Sequence, residues 1–331
     1  MATDFFSEIT PAWLTAILTE RGGLTAGQVR HVEQRLDPNH NATLLLTYSP
    51  DAQGVCPQRL FFKQGPRTSE AKFYQKIAPL LTNPMAPICY DAQYDTTSSH
   101  ILIAYVEQTH FAAPEAVPMP LVYHERIVDA LADLHHQFWD QPRLQPEIGA
   151  LASDVPQFAF TIASQHFAAF VDTLSDRLSM QRRGQYERIL AQFPHYRPRG
   201  PKTIVHGDAH WGNFLYPHDP AANPLVLIDW AEWHVNSGVG DLVYNIALQC
   251  YPERRARLEE SLMRRYHDQL LLFGIHDYSW AQCWEDYRRM VIEQCLWPIV
   301  WHHFDLSPNV WWFALECTLA AFEDLDCGEF L

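Results

Sequence analysis

The segment HGDAHWGN, at His206–Asn213, combines side chains that are suited to phosphate chemistry. It places the carboxylate of Asp208 five residues before the amide of Asn213. A carboxylate can orient an attacking hydroxyl and accept its proton, and an amide oxygen can bind the metal ion that neutralises developing charge. The same spacing is typical of phosphoryl-transfer loops. It predicts Asp208 as the catalytic base and Asn213 as a magnesium ligand.

A second carboxylate follows a short apolar run at Leu227-Ile228-Asp229-Trp230. We expect a hairpin from Phe214 to Ile228 that delivers Asp229 at its end. Magnesium prefers hard oxygen ligands, and it usually keeps several water molecules beside one or two protein groups. Asp229 is therefore the second predicted magnesium ligand.

The histidines of the same segment leave an alternative open. His206, Asp208 and His210 are residue types that also bind metal ions in hydrolases. A metal-hydrolase interpretation assigns no role to the amide of Asn213 or to the carboxylate of Asp229. The phosphoryl-transfer hypothesis accounts for both.

The first third of the chain is predicted to form a sheet with flanking helices. Apolar runs bounded by turn residues predict strands, and a four-residue apolar spacing predicts helices. The predicted strands cover residues 29–48, 59–64, 88–94 and 100–106, and the predicted helices cover Pro11–Arg21 and Thr68–Ile77. Gly22 and Gly23 should end the first helix.

After Glu107 the sequence becomes mainly helical, beyond a segment rich in Ala and Pro at residues 108–120. One apolar stripe runs through Ile127, Leu131, Leu134 and Phe138. We therefore predict an α+β fold with two lobes. A small antiparallel-sheet lobe covers residues 1–106, and a large, mainly helical lobe covers residues 107–331.

Two motifs carry a family resemblance. The stretches IVHGDAHWGNFLY and LIDWAEWHVNSGVGDLVY resemble the aminoglycoside phosphotransferase superfamily, which includes choline kinases. Three further stretches resemble its ecdysteroid-kinase-like branch and bacterial relatives: ITPAWLTAILTERGG, FFKQGPRTSEAKFYQKIAP and RRYHDQLLLFGIHDYSWAQCWEDYR. The resemblance implies a protein-kinase-like bilobal fold that uses ATP and Mg²⁺.

The resemblance also implies roles for residues of the two motifs. Asp208 matches the family's catalytic base, and Asn213 and Asp229 match its magnesium ligands. His206 matches a brace of the catalytic loop. Asp241 matches a structural acid that begins a helix and holds this loop.

In the first lobe, the resemblance implies a nucleotide-binding set. Lys63 on a strand matches the lysine that contacts phosphates, and Glu70 on the next helix should pair with it. Ala104 and Val106 lie in the expected hinge, where main-chain groups should bind the adenine. The nucleotide, ATP with Mg²⁺, should lie between the two lobes.

One segment departs from the family pattern. The stretch Leu36–Thr43, which corresponds to the family's phosphate loop, contains no glycine. Asn tolerates left-handed backbone and can still offer main-chain amides to phosphate. How this loop would hold phosphates stays open.

Composition limits the possible partners and the compartment. The formal net charge is −15, from 24 Lys and Arg against 39 Asp and Glu, so we expect neither nucleic acid nor membrane as a partner. The seven cysteines form no CxxC pair, and no basic leader or long apolar run occurs. We expect a cytoplasmic protein that binds a small hydroxylated substrate. The oligomeric state stays open.

Three functional hypotheses follow. The first is a small-molecule kinase that phosphorylates a hydroxyl, and the second is a non-catalytic pseudokinase that binds nucleotide or a partner. The third is a protein kinase, which the short segment from Asp229 to Gly240 and the missing Ala-Pro-Glu anchor disfavour. The candidate acceptors are an aminoglycoside, a choline-like amino alcohol and a hydrophobic secondary alcohol. The Trp-rich tail, which is either helical core or substrate wall, favours the last.

Overall fold

The computed structural model describes residues 6, 8–21, 23–39, 41–113, 118–144, 148–149, 154–196 and 200–331. Gly22 and His40, which belong to the predicted helix end and phosphate loop, lie outside these ranges, as do residues 114–117 of the Ala- and Pro-rich segment. The chain divides into two compact units. The first comprises the residues up to Ala112 with Leu215–Ala231, and the second comprises Ala113–Phe214 with Glu232–Leu331. The lobe boundary expected between residues 106 and 107 stays a prediction.

Strands and helices segregate along the chain as the α+β prediction requires, and that fold class is confirmed. The strands are β1 (Leu24–Ala26), β2 (Val29–Leu36), β3 (Ala42–Tyr48), β4 (Gln53–Gly54), β5 (Arg59–Gly65), β6 (Cys89–Tyr94), β7 (Ser99–Ala104), β8 (His110–Ala112), β9 (Thr203–Val205), β10 (Phe214–Pro217), β11 (Val226–Leu227) and β12 (His234–Asn236). The helices are α1 (Pro11–Glu20), α2 (Ser69–Lys72), α3 (Leu121–His136), α4 (Val155–Leu174), α5 (Met180–Gln192), α6 (Val239–Val243), α7 (Pro252–Leu272), α8 (Trp280–Gln294), α9 (Trp297–His303) and α10 (Pro308–Asp324).

An antiparallel sheet with the strand order β2-β3-β5-β7-β6 forms the centre of the first unit. Alternate residues of β3, among them Leu44, and Leu60 and Phe62 of β5 are buried, which is the period-2 pattern of a sheet with one covered face. Helix α1 covers this core through Leu14 and Leu18. The sheet presents Lys63 near the end of β5, where it pairs with Ile101 of β7.

The segment Leu215–Ala231 joins the first unit through a smaller sheet with the strand order β11-β10-β8. The predicted hairpin is present, because the consecutive strands β10 and β11 are hydrogen-bonded neighbours. On its other side, β10 pairs antiparallel with β8. The main-chain N–H of Leu227 donates to the carbonyl of Met85 at 2.7 Å. These bonds fix the strand that ends two residues before Asp229.

The second unit is mainly helical and contains a two-stranded ribbon of β9 and β12. His234 of β12 pairs with Val205 of β9, immediately before the segment His206–Asn213. Beyond this pair, Gly207 has a φ of +82°, and a Cβ there would lie 2.2 Å from the carbonyl oxygen of Glu232. Both the backbone conformation and the close approach therefore require glycine at this position.

All seven cysteines are unpaired in the structure, and most are buried, as expected for reduced thiols. Among the described residues, no helix is both long and apolar enough to span a membrane.

A buried polar row links β12 to α8 in the second unit. Lys202 Nζ donates to Asn236 Oδ1 at 3.1 Å, and Asn236 Nδ2 donates to Glu293 Oε2 at 3.1 Å. Burial raises the pKa of Glu293 to about 7, although Lys202 and Asn236 oppose this shift. A carboxyl group with a raised folded-state pKa stabilises the fold fully below its unfolded pKa. That stabilisation is lost as the pH rises through the folded pKa.

We expect Gly207→Ala to lower the free energy of unfolding by about 3 kcal/mol or more, because it adds a main-chain clash to left-handed strain. Gly274→Ala is the matched control, since Gly274 has a φ of +90° but nothing within 4 Å of an added Cβ. That control should cost only about 1 kcal/mol. Denaturant unfolding measures both variants, and equal losses would contradict the packing around Gly207.

Glu293→Gln removes an ionisable group without a large change in shape. The free energy of unfolding of the variant, relative to that of the wild type, should rise by about 3 kcal/mol from pH 4.5 to pH 8. The reason is that the variant lacks the carboxyl group whose pKa burial raises from 4.5 to about 7. Urea unfolding at several pH values provides the measurement. Glu285→Gln, on the exposed face of α8, serves as the control and should show no such trend. A pH-independent difference between Glu293→Gln and the wild type would argue against this assignment.

Candidate functional site

The loop that follows β9 is anchored by the buried carboxylate of Asp241 in α6. Asp241 Oδ2 accepts the main-chain N–H of His206 at 2.7 Å, and Oδ1 accepts that of Gly207 at 2.9 Å. His135 Nε2 lies 3.2 Å from Oδ2. Burial would raise the pKa of Asp241, but the hydrogen bond and charge of His135 and the loop contacts hold it below its ordinary value. The carboxylate thus stays ionised and holds the loop, the role that the resemblance implied.

Asp208 lies next in this loop, with 26% of its side chain exposed. Asn213 Nδ2 donates to the main-chain oxygen of Asp208 at 2.9 Å and to its Oδ2 at 3.1 Å. The main-chain N–H of Asp208 donates to His206 Nδ1 at 3.3 Å. The five-residue spacing therefore closes a compact turn in which amide and carboxylate touch.

Tyr244 is a neighbour of Asp208 that the sequence motifs did not reveal. Burial raises the pKa of the Tyr244 hydroxyl well above its ordinary value, and the charge of Asp208 and a hydrogen bond to it add to the shift. The Tyr244 ring packs edge to face against Trp301, with centroids 6.3 Å apart, and Trp301 lies 6.0 Å from Trp297. An aromatic wall therefore begins beside Asp208, and part of the Trp-rich tail belongs to it.

Lys63 bridges two carboxylates in the first unit. Its Nζ lies 2.8 Å from Glu70 Oε2 and 2.7 Å from Asp229 Oδ1, so the predicted ion pair with Glu70 is present. Burial alone would lower the pKa of Lys63, but the two carboxylates raise it above its ordinary value. The lysine therefore remains a cation between two anions.

Asp229 is held in an uncommon backbone conformation, with a φ of +60°. Asp tolerates the left-handed region better than most residues. Trp230, the next residue, is fully buried and stacks on Phe73, with ring centroids 3.8 Å apart. This packing fixes the turn, and 46% of the Asp229 side chain stays exposed.

The donor atoms of Asn213 and Asp229 fit magnesium chemistry. Because the Asn213 NH₂ group donates to Asp208, its Oδ1 is turned away, and no described residue donates to it. In Asp229, Oδ1 accepts from Lys63, which leaves Oδ2 as a second oxygen donor. Amide and carboxylate oxygens are the ligands that magnesium prefers.

The metal-hydrolase alternative gains no support from the geometry. Among the residues that the structure describes, no three His, Cys, Asp or Glu side chains form a group able to hold a metal ion. His206 is fully buried, and its Nδ1 faces the Asp208 N–H. That is the position of a brace for the loop.

The predicted hinge has part of its hydrogen-bonding capacity already used. The main-chain N–H of Ala104 donates to the carbonyl of Ile88 at 2.8 Å. The carbonyl of Val106 accepts the N–H of Thr109 at 3.1 Å and that of His110 at 2.9 Å. Among the described residues, no main-chain group outside the strand ladders donates to the Ala104 carbonyl or accepts the Val106 N–H.

The glycine-free loop, Leu36–Thr43, uses two of its own main-chain amides in internal hydrogen bonds. The N–H groups of Asn39 and Asn41 donate to Asp37 Oδ1, at 2.8 and 2.9 Å, instead of pointing outwards. Asn41 Nδ2 donates to Asp37 Oδ2 at 3.0 Å. A carboxylate of the loop itself therefore already accepts these two amides.

Asn245 is a second residue that sequence reasoning missed. It is fully buried, and its Nδ2 donates to the carbonyl of Ala209 at 3.1 Å. It follows Asp241 by four residues in the string GDLVYN. That helical spacing is the signal from which its position could have been found.

Comparisons with known proteins agree with the motifs. A family model described as the ecdysteroid kinase-like family matches residues 119–273. Among curated proteins, none matches the chain significantly.

Solved structures with a similar fold include aminoglycoside phosphotransferases. The GDP and kanamycin complex of APH(2")-IIia is 12% identical, covers 96% of this chain and 99% of its own, and superposes with a TM-score of 0.53. The streptomycin-ATP-APH(2")-IIa ternary complex is 11% identical, covers 100% of this chain and 99% of its own, and has a TM-score of 0.52. The chain therefore has the kinase-like fold of these phosphotransferases, and the predicted resemblance to the ecdysteroid kinase-like family is confirmed over residues 119–273.

Proposed function

We propose that this protein transfers the γ-phosphoryl group of ATP to a hydroxyl group of a small molecule, with Mg²⁺ as the metal ion. The observation that carries the proposal is the turn in which Asn213 donates to Asp208 while its own Oδ1 is left for a metal. The family match and the kinase-like fold support the same reaction class.

Asp208 is the proposed base. Its carboxylate accepts the proton of the acceptor hydroxyl as the hydroxyl oxygen attacks the γ-phosphorus. The bond from that phosphorus to the bridging oxygen then breaks, and ADP leaves. Asn213 and Tyr244 hold the carboxylate in place. Because the transition state is loose, positioning contributes more than basicity does.

Asn213 and Asp229 are the proposed magnesium ligands. When bound, the ion neutralises charge on the phosphate oxygens. Asn213 supplies a neutral oxygen and Asp229 an anionic one, and water completes the shell that this ion usually keeps. Both side chains are fixed by their neighbours before any ligand binds.

Lys63, Glu70, Ala104 and Val106 are the proposed nucleotide-binding set. The Lys63 ammonium contacts phosphate oxygens, and Glu70 keeps it charged and oriented. The Ala104 carbonyl accepts from the adenine amino group, and the Val106 N–H donates to a ring nitrogen.

The aromatic wall formed by Tyr244, Trp301 and Trp297 indicates which class of acceptor the site favours. Flat apolar rings beside the base suit an acceptor with a hydrophobic body better than a highly charged one. We therefore favour a hydrophobic secondary alcohol over an aminoglycoside. A choline-like amino alcohol stays open, because aromatic rings also attract quaternary ammonium groups.

A pseudokinase is the second candidate, and one observation favours it. Asp37 places a carboxylate in the loop that corresponds to the family's phosphate loop and occupies its amides. A negative charge there repels phosphates. A loop that holds the triphosphate poorly would disfavour transfer, and the protein would then bind a nucleotide or a partner without catalysis.

We expect a mass gain of one phosphoryl group when the protein is incubated with ATP, Mg²⁺ and a library of hydroxylated compounds. Asp208→Asn should abolish this product, because an amide cannot accept the proton. Asp219→Asn is the control, since Asp219 caps an exposed turn in the β10–β11 connection. GTP in place of ATP tests the choice of donor. If no compound is phosphorylated while Mg-ATP still binds, the pseudokinase replaces the kinase.

Lys63→Met should weaken Mg-ATP binding at least tenfold, which is about 1.4 kcal/mol. The substitution removes a cation and leaves Glu70 and Asp229 as uncompensated anions. Isothermal titration calorimetry measures the change in Kd. Lys76→Met, on the exposed side of the helical segment after α2, is the control. Equal affinities for the two variants would refute the assignment of Lys63.

A further inference from the structure

A chain of buried hydrogen bonds reaches the main chain immediately after Asp208. Asn245 Nδ2 donates to the Ala209 carbonyl at 3.1 Å, and Asn245 Oδ1 lies 3.0 Å from His124 Nδ1. His124 Nε2 lies 3.8 Å from the sulfur of Cys250. All of these side chains are buried, so water does not compete for the bonds.

The donor and acceptor roles along these hydrogen bonds follow from the chemistry of each group. A carbonyl only accepts, so the NH₂ group of Asn245 must face Ala209 and its Oδ1 must face His124. Nδ1 of His124 then carries the proton, and Nε2 accepts from the thiol of Cys250. Burial lowers the pKa of His124, so the ring is neutral in the folded protein. One arrangement of protons satisfies every member.

Asn245 and Asp241 hold the loop on opposite sides of Asp208. Asp241 accepts the N–H groups of His206 and Gly207, on the N-terminal side. Asn245 donates to Ala209 on the C-terminal side. The two residues stand four apart, where α6 passes into a π-helical turn at Tyr244–Leu248. A π-helical turn changes the direction of the side chains that follow it.

We propose that Asn245 is a positioning residue for the catalytic base, and that His124 orients its amide. Asn245 keeps the Ala209 carbonyl in place, so the Asp208 side chain cannot turn away from an acceptor hydroxyl. This role rests on the proposed function. A misplacement of about 1 Å at a reacting group can cost about a hundredfold in rate.

Asn245→Asp tests this role with almost no change in shape. The new carboxylate oxygen faces the Ala209 carbonyl and repels it. We expect kcat to fall about a hundredfold, with KM for ATP unchanged within about threefold. Part of the activity should return as the pH is lowered, because a protonated Asp regains a donor towards Ala209. A purely structural role would change stability without this split between kcat and KM.

Amide hydrogen exchange supplies a readout that does not depend on activity. In Asn245→Asp, exchange in the peptide covering residues 206–213 should be at least tenfold faster. Asn236→Asp is the matched control, since Asn236 is also buried in the second unit but donates to Glu293. It should lose stability without a local effect on residues 206–213 and without the loss of kcat.

If Asn245→Asp does not fold, His124→Leu tests the same proposal. It leaves the amide of Asn245 free to rotate, and a fall in kcat of about tenfold is expected, with faster exchange in the same peptide. Unchanged exchange at residues 206–213, or an unchanged kcat, would overturn the proposal. If the wild type transfers no phosphate but the exchange effect is present, the proposed function fails while the positioning of the loop stands.

Discussion

The geometry of the loop at residues 206–213 depends on one buried carboxylate that requires hydrogen-bond donors. Asp241 is 1% exposed, and an unpaired anion at such a site costs several kcal/mol. The loop supplies two N–H groups and α3 supplies His135, so the charge is satisfied only while the loop keeps its shape. Gly207 makes that shape possible, because no other residue fits beneath Glu232. The loop at residues 206–213 and helix α6 therefore hold each other in place. The position of Asp208 is fixed as a result.

Much of the fold was accessible from local sequence signals. Thr10 and Pro11 predict the start of α1, and the structure shows Thr10 capping it. Alternation and turn residues predict the strands around Lys63. The five-residue spacing singles out Asp208 and Asn213, which the structure joins by a hydrogen bond. Such features depend on residues close in sequence, whose geometry the chain itself restricts.

What could not be predicted depends on contacts between distant residues. Nothing in the sequence pairs His124 with Asn245, which lie 121 residues apart. The grouping of Leu215–Ala231 with the sheet unit likewise follows from hydrogen bonds to β8 and Met85. The hinge at Ala104 and Val106 is predicted from the resemblance. The hydrogen bonds that occupy the Ala104 N–H and the Val106 carbonyl become visible only in three dimensions.

The turn after β2 bears on how chains of this kind are recognised. Glycines are usually taken as the signature of a phosphate loop, because they allow tight backbone turns. Here Asp37 makes the tight turn by accepting the amides of Asn39 and Asn41. A search that requires glycines at this position would miss the present loop, because the carboxylate of Asp37 shapes the turn in their place.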